Sequence, residues 1–150
     1  MGVNRGPMKP MLAMLAGCIY SHGELATFPG SHVQLSCIDL GVASYTDDVA
    51  RGPIVDYHFG NRCAHDTVID LATVRATARQ QDGRVVKLRA YDPDRELRPV
   101  TLYARLSYDE QIAYQDDASI DSKTICVEIG HVDRGDPAPR DQWICPAGAR

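Results

Sequence analysis

The chain has 150 residues, of which 44% are hydrophobic and 24% charged, a composition typical of one globular domain with a single core. Its formal net charge is −4, and its 16 basic residues are spread along the chain. The absence of a basic stripe in the sequence argues against nucleic acid as a partner.

The N-terminal segment has features of a secretion signal. Arg5 and Lys9 precede an apolar run at residues 11–17. Such a run is too short to span a bilayer, which needs about 20 residues, and lies at the lower edge for a signal peptide. The residues LAGC at 15–18 resemble the bacterial lipobox, in which a cysteine becomes lipidated and forms the new N-terminus after cleavage.

This resemblance implies a bacterial lipoprotein held on the extracytoplasmic side of a membrane by an acyl group on Cys18. It divides the chain into a signal segment at 1–17, a short tether at 18–30 and a domain at 31–150. The alternative is that residues 8–17 form an amphipathic or buried helix and that the cysteine is there by chance.

The cysteine count agrees with export. Cysteines stand at positions 18, 37, 63, 126 and 145. Lipidation of the first leaves four, an even number that suits disulfides in an oxidising compartment. The alternative is a cytosolic protein with five scattered thiols, since no C-x-x-C pair indicates zinc or a redox site.

Four cysteines allow three connectivities, and the sequence does not choose among them. We favour the local pairing Cys37–Cys63 and Cys126–Cys145, because each pair closes a loop of modest length at the end of a predicted strand. On the loop-entropy model each closure stabilises the fold by roughly 3–4 kcal/mol.

Alternating polarity predicts strands after Pro29-Gly30. The segments HVQLSC at 32–37 and IVDYHF at 54–59 both alternate, and the second places Val55, Tyr57 and Phe59 inward. Asp82-Gly83 predicts a type I′ hairpin over about 75–90. Its predicted inner face comprises Ala76, Ala78, Val86, Leu88 and Ala90.

The remaining segments extend this pattern. A break in alternation predicts a bulge or turn at 72–73, and residues 91–99 are predicted to form a polar loop. Further strands are predicted at 100–106, at 111–114 and at 124–132, the last with Ile125, Val127 and Ile129 inward. The Pro- and Gly-rich tail is predicted to be irregular and held by Trp143 and a disulfide.

About seven short strands, with no helix expected outside the leader, predict an all-β fold, an antiparallel β-sandwich. Their order over about 53–132 resembles the immunoglobulin-like domains of secreted and lipid-anchored bacterial proteins. The resemblance implies the architecture alone, because such domains mostly bind, space or present other components and share no catalytic residues.

Two clusters have residues suited to metal binding. The segment HFGNRCAHD contains His58, Cys63, His65 and Asp66. A strand end does not place the two histidines on one side, and Cys63 is better used in a disulfide. We therefore interpret them as surface histidines rather than metal ligands.

The second cluster follows the spacing of a calcium loop. Asp117, Ser119, Asp121 and Glu128 occupy its first, third, fifth and twelfth places, where oxygen ligands suit calcium. However, Ser122 takes the sixth place, where the sharp turn favours glycine. We favour a solvated acidic loop over a calcium site.

No catalytic motif is present: the chain lacks a G-x-S-x-G elbow, a P-loop and a G-x-G-x-x-G fingerprint. We therefore expect no cofactor. The leading hypothesis is a non-enzymatic interaction or accessory module of the cell envelope with a protein partner. The alternatives are a small-ligand or metal-ion binding protein and an enzyme of unrecognised type, in which His58, His65 and Asp66 would meet in a pocket.

Overall fold

The computed structural model describes residues 19–46, 52–115, 120–134 and 142–145. They contain two short helices, α1 (His22–Thr27) and α2 (Pro93–Glu96). They also contain ten strands, namely β1 (Ser31–Leu35), β2 (Ile38–Thr46), β3 (Pro53–Asn61), β4 (Thr67–Asp70), β5 (Arg75–Arg79), β6 (Val85–Lys87), β7 (Pro99–Leu102), β8 (Ser107–Ala113), β9 (Cys126–Glu128) and β10 (Trp143–Ile144).

The strands form two four-stranded antiparallel sheets and a two-stranded ribbon. The first sheet has the order β1-β2-β3-β8, the second β10-β9-β5-β6, and the ribbon pairs β4 with β7. One core joins all three, with Tyr57 from the first sheet, Val127 from the second and Ile69 from the ribbon. The predicted all-β sandwich is confirmed. The described residues hold more strands than predicted because β2, which follows β1 after a two-residue turn, and the two-residue β10 were not predicted.

The inward rows follow the alternation in the sequence. In β3, Val55, Tyr57 and Phe59 are buried, whereas Asp56 and His58 on the opposite face are half-buried. The strand lies between β2 and β8 and pairs with both along most of its length. The predicted row of Ile125, Val127 and Ile129 is buried as well.

The predicted hairpin is formed by β5 and β6, but its turn differs from type I′. Gln80 N–H donates to the Arg84 carbonyl, and Gly83 N–H donates to the Gln80 carbonyl, both at 2.9 Å. Gly83 has a φ of +87°, whereas Asp82 is not at positive φ. Since type I′ needs positive φ at both central residues, the loop is instead a three-residue turn that ends in a glycine bulge.

The disulfides join Cys37 to Cys63 and Cys126 to Cys145. This confirms the local pairing favoured from the sequence. Cys126 lies on the face of β9 opposite the core row, where the C-terminal segment brings Cys145 to it. The two bonds indicate an oxidising, non-cytoplasmic setting.

Residues 19–30, expected to be a tether, instead pack on the outer face of the first sheet. Tyr20 and Leu25 are buried, and the Tyr20 hydroxyl donates to Asp39 Oδ2 at 2.9 Å. Helix α1 begins with a capping box, in which Glu24 Oε1 accepts the Ser21 N–H at 3.1 Å.

Glycines in the sheet make this close packing possible. A Cβ atom on Gly60 would lie 1.9 Å from Tyr20 Cζ, and one on Gly41 would lie 2.5 Å from Phe28 Cδ1.

The signal segment at 1–17 and Cys18 lie outside the described residues. Neither helix of the described ranges has the length and apolar character needed to cross a bilayer.

Three other segments differ from the expectations. The predicted strand at 100–106 ends at Leu102 with β7, and residues 103–106 form a turn before β8 in which Arg105 has a φ of +60°. The predicted polar loop at 91–99 contains α2, which Asp92 caps by accepting the Arg95 N–H at 3.3 Å. In the tail, Trp143 is 47% exposed, so Ile144 at 7% provides the buried apolar contact.

The packing of Tyr20 on the sheet predicts a difference between two glycine substitutions. We expect Gly60→Ala to lower the free energy of unfolding by about 1–3 kcal/mol, because the new methyl group must displace the Tyr20 ring. Gly23→Ala is the control, because Gly23 is at an exposed position of α1 where the new Cβ would meet only Ser21 Oγ, at an ordinary contact distance of 3.7 Å, and it should be neutral or slightly stabilising. Urea unfolding measures both, and an unchanged Gly60→Ala variant would contradict the described packing.

Candidate binding surface

The β5–β6 hairpin gathers basic side chains on the outer face of the second sheet. Ala76 and Ala78 face the core, so the alternate residues of β5 face outward. Thr77 pairs with Lys87, and Leu88 N–H donates to the Ala76 carbonyl at 2.8 Å, which extends the pairing beyond β6. The exposed basic residues of this face are Arg75, Arg79, Lys87 and Arg89.

The charges of Arg75 and Lys87 are not neutralised by an ion pair in the described part of the chain. Glu128 lies across from Arg75 in β9, but it is buried and its Oε1 accepts the Gly130 N–H at 2.8 Å. The hairpin therefore presents net positive charge on a chain whose formal net charge is −4.

A groove of about 470 Å³ lies beside this face, between the hairpin and α2. We call it the basic groove. Its rim carries Arg75, Lys87 and Arg89, and no acidic residue lines it within the described part of the chain. Its apolar lining comprises Ala72, Val74, Ala76, Leu88, Ala90, Pro93, Leu97 and Tyr114.

Tyr114 lines the base of the groove, and Tyr57 lies in the core behind it. Their hydroxyl oxygens, on Tyr57 and Tyr114, lie 3.0 Å apart in a buried hydrogen bond. Burial raises the pKa of Tyr114 to about 12 and that of Tyr57 well above its usual range. Both phenols are therefore neutral at physiological pH, and the nearby Glu96 carboxylate of α2 adds to the rise in the pKa of Tyr114.

Cationic side chains above an apolar lining suit a ligand that combines carboxylate groups with apolar groups. Arginine guanidinium binds carboxylate through paired charge-assisted hydrogen bonds, and the lining buries apolar surface. The volume falls within the range of roughly 300–1,000 Å³ typical of ligand pockets.

The first candidate metal cluster is not brought together. His58 Nδ1 is hydrogen-bonded to Asp109 Oδ1, and the ring stacks on Phe28 with centroids 5.5 Å apart. His65 lies exposed in the loop after β3, and Cys63 is in a disulfide. Asp66 Oδ1 accepts the Ala104 N–H at 2.8 Å. His58, Cys63 and Asp66 therefore have separate partners, and the four side chains share no pocket in the described regions.

The calcium-like spacing is interrupted by other structure. Asp121 caps a 3-10 turn over Ser122–Thr124, where its Oδ1 accepts the Lys123 N–H at 2.9 Å. Glu128 is buried in β9. Asp117 and Ser119 lie outside the described residues. Within the described ranges, no group of three or more His, Cys, Asp or Glu side chains is suited to hold a metal ion.

Sequence reasoning missed the basic groove, although the signal was present. The alternating alanines of the hairpin predict only its inner face. The basic residues form no stripe when they are considered in their order along the chain. In R-A-T-A-R and K-L-R, every second residue is polar or basic, which places those residues on one face of a strand. The pairing of the two strands then combines both rows.

The fold is similar to that of the yjhA protein from Bacillus subtilis, known from a crystal structure. The TM-score is 0.51 and the sequence identity 11%, over 77% of this chain and 93% of that chain. At this identity the similarity concerns the fold alone. No protein-family model matches the chain, and no curated protein matches it.

The raised pKa values predict a loss of stability in alkali. Between about pH 10 and 12, tyrosines of the unfolded chain release protons that Tyr57 and Tyr114 retain in the fold. The unfolded state is therefore favoured as the pH rises through this window. We expect Tyr57→Phe/Tyr114→Phe to be nearly neutral at pH 7, because both hydrogen-bond partners are removed together, and to lose less stability by pH 11.

Urea unfolding at pH 7, 10 and 11 tests this expectation. Tyr103→Phe is the control, because Tyr103 is exposed and its removal should leave the alkaline slope unchanged. Equal slopes for the wild type and the double variant would contradict the assignment.

Proposed function

We propose that the protein is a lipid-anchored, extracytoplasmic β-sandwich of the bacterial cell envelope that acts as a non-enzymatic interaction module. Its basic groove binds an acidic segment of a partner protein. The observation that carries this proposal is the set of basic residues above an apolar lining on the β5–β6 hairpin.

The cysteines support the location. The disulfides use four of the five cysteines in the chain and leave Cys18. That cysteine ends the lipobox-like segment, and its thioether linkage to lipid would account for the odd number. Two disulfides suit the oxidising space outside the cytoplasm.

A protein segment is favoured over a small ligand by the extent of the positive charge. Arg79 continues the basic row beyond the groove, toward the tip of the hairpin. A segment with alternating acidic and apolar residues would place carboxylates along this row and side chains in the groove. Exposed ion pairs contribute only about 0.2–1 kcal/mol each, so an extended contact is needed for useful affinity.

The second candidate is the binding of a small anion with an aliphatic body, such as a carboxylate with a hydrocarbon chain. The groove volume favours it, because about 470 Å³ is sufficient for such a molecule. The third candidate, an enzyme, depends on a pocket joining His58, His65 and Asp66, but His58 and Asp66 have separate partners and His65 is exposed in the loop after β3.

The proposed lipid anchor predicts how the mature protein is cleaved and modified. Expressed in a bacterium that acylates lipoproteins, the protein should lose residues 1–17 and carry acyl groups on Cys18. Intact-mass analysis with and without reductant measures this, with reduction adding the four hydrogens of two disulfides. Cys18→Ala is the control and should remain unacylated. A full-length, unmodified chain with five free thiols would contradict the proposed location.

Binding at the basic groove predicts a charge-dependent affinity. The probe is a fluorescein-labelled peptide of alternating glutamate and leucine, followed by fluorescence anisotropy. Arg75→Gln/Lys87→Gln should weaken binding about fivefold to tenfold, as expected for the loss of two exposed ion pairs.

The matched control removes two positive charges outside the groove. Arg84→Gln/Lys123→Gln should change the affinity less than twofold. Equal losses in the two double variants would indicate non-specific attraction and contradict the site. Binding of decanoate but not of the peptide, abolished by Arg75→Gln/Lys87→Gln, would favour the second candidate.

A further inference from the structure

The chain enters the domain at a fixed point. Tyr20 is only 5% exposed, its N–H donates to the Arg105 carbonyl at 2.7 Å, and its hydroxyl donates to Asp39. Ile19, one residue earlier, is 69% exposed. Tyr20, two residues after Cys18, is therefore held against the domain.

The turn that receives Tyr20 also exposes apolar side chains. It links β7 to β8 and is closed by a hydrogen bond of 3.1 Å from Leu106 N–H to the Tyr103 carbonyl. Tyr103 is 59% exposed and Leu106 is 42% exposed. Arg105, between them, is exposed as well. We call Ile19, Tyr103, Arg105 and Leu106 the entry patch.

This grouping is unusual among the exposed apolar residues. Seven large hydrophobic side chains are exposed in the described parts of the chain, and three of them belong to the entry patch. Single exposed apolar residues need no explanation, whereas a group of them marks a contact surface. The other four are Tyr45, Val85, Tyr91 and Trp143, which lie on different elements.

We propose that the entry patch rests in the headgroup region of the bilayer that holds the acylated Cys18. The inference rests on the proposed lipid anchor. It adds that the domain lies directly against the membrane, in one orientation, with the turn at 103–106 facing the lipid.

The short length of chain between Cys18 and Tyr20 requires the domain to lie close to the membrane. Two residues in extended conformation span about 7 Å, and the polar layer on each side of a bilayer is about 5–8 Å thick. An acyl group on Cys18 places that residue at the boundary of the hydrocarbon core. Tyr20, held against the domain, then lies no farther out than the outer edge of the headgroups.

The chemistry of the patch suits that region. Aromatic side chains such as Tyr103 favour the membrane interface, where the ring is apolar and the hydroxyl remains hydrated. Ile19 and Leu106 offer aliphatic surface, and the Arg105 guanidinium can bind lipid phosphate. Anionic lipid further attracts an exposed basic side chain near the surface.

Fluorescence quenching by brominated lipid tests the orientation. Trp143→Phe removes the native tryptophan of the chain, and Tyr103→Trp then reports on the entry patch. Val85→Trp, in the same background, is the matched control, because Val85 is 61% exposed but lies on the β5–β6 hairpin. Each acylated protein is reconstituted in vesicles of phosphatidylethanolamine and phosphatidylglycerol with bromine near the top of the acyl chains.

We expect bromine to reduce the fluorescence of Tyr103→Trp at least twofold and that of Val85→Trp by less than a tenth. Leu106→Trp is a second reporter, should Tyr103→Trp fail to fold, and should be quenched similarly. Flotation of the vesicles with unquenched reporters at both patch positions would overturn the orientation while leaving the lipid anchor in place. Failure of the acylated protein to float would overturn the anchor and the orientation together.

Discussion

The seating of Tyr20 on Gly60 is the contact that determines where the domain begins. The ring occupies space that any Cβ at residue 60 would fill, and its hydroxyl reaches Asp39, whose carboxylate is fully buried. Arg62 Nε donates to the same carboxylate at 2.8 Å, so the buried charge has both a counter-charge and a hydrogen-bond donor, as such a group requires. Because this network includes Tyr20, residues 19–30 are part of the folded domain.

The two disulfides act at different places in the sandwich. Cys37 lies in the two-residue turn between β1 and β2, and its bond to Cys63 joins that turn to the chain leaving β3. Cys145 follows β10, a strand of two residues. So short a strand gains little from its own hydrogen bonds, and the bond to Cys126 keeps it paired with β9. Thus one disulfide holds a strand too short to pair stably by itself, while the other closes one end of the nine-residue pairing of β2 with β3.

The sequence predicted what depends on local alternation, and missed what depends on contacts between distant segments. The inward-facing residues of β3 and β9 and the hairpin at 75–90 follow from the alternation of apolar and polar residues along the chain. A helix of six residues such as α1 is marginal alone and forms because it packs on the sheet. The turn at 103–106 was hidden because Leu102, Ala104 and Leu106 continue the alternation through it, and nothing in the sequence signals that Arg105 adopts positive φ. The basic groove depends on the pairing of two strands and on α2, so spacing along the chain did not reveal it.

The two proposed contacts are compatible because they use different parts of the sandwich. The entry patch lies where the chain meets the turn before β8, a strand of the first sheet, whereas the basic groove lies along β5 and β6 of the second. A domain seated on lipid through the first can therefore retain the second for a partner. Fixing the orientation also reduces the rotational freedom that must be lost when the partner binds, so weak exposed ion pairs at the groove produce more affinity than they would in a freely tumbling protein. Because residues 19–30 pack on the first sheet, the proposed anchor would give the domain little reach, and the groove would then serve a partner that comes close to the membrane surface.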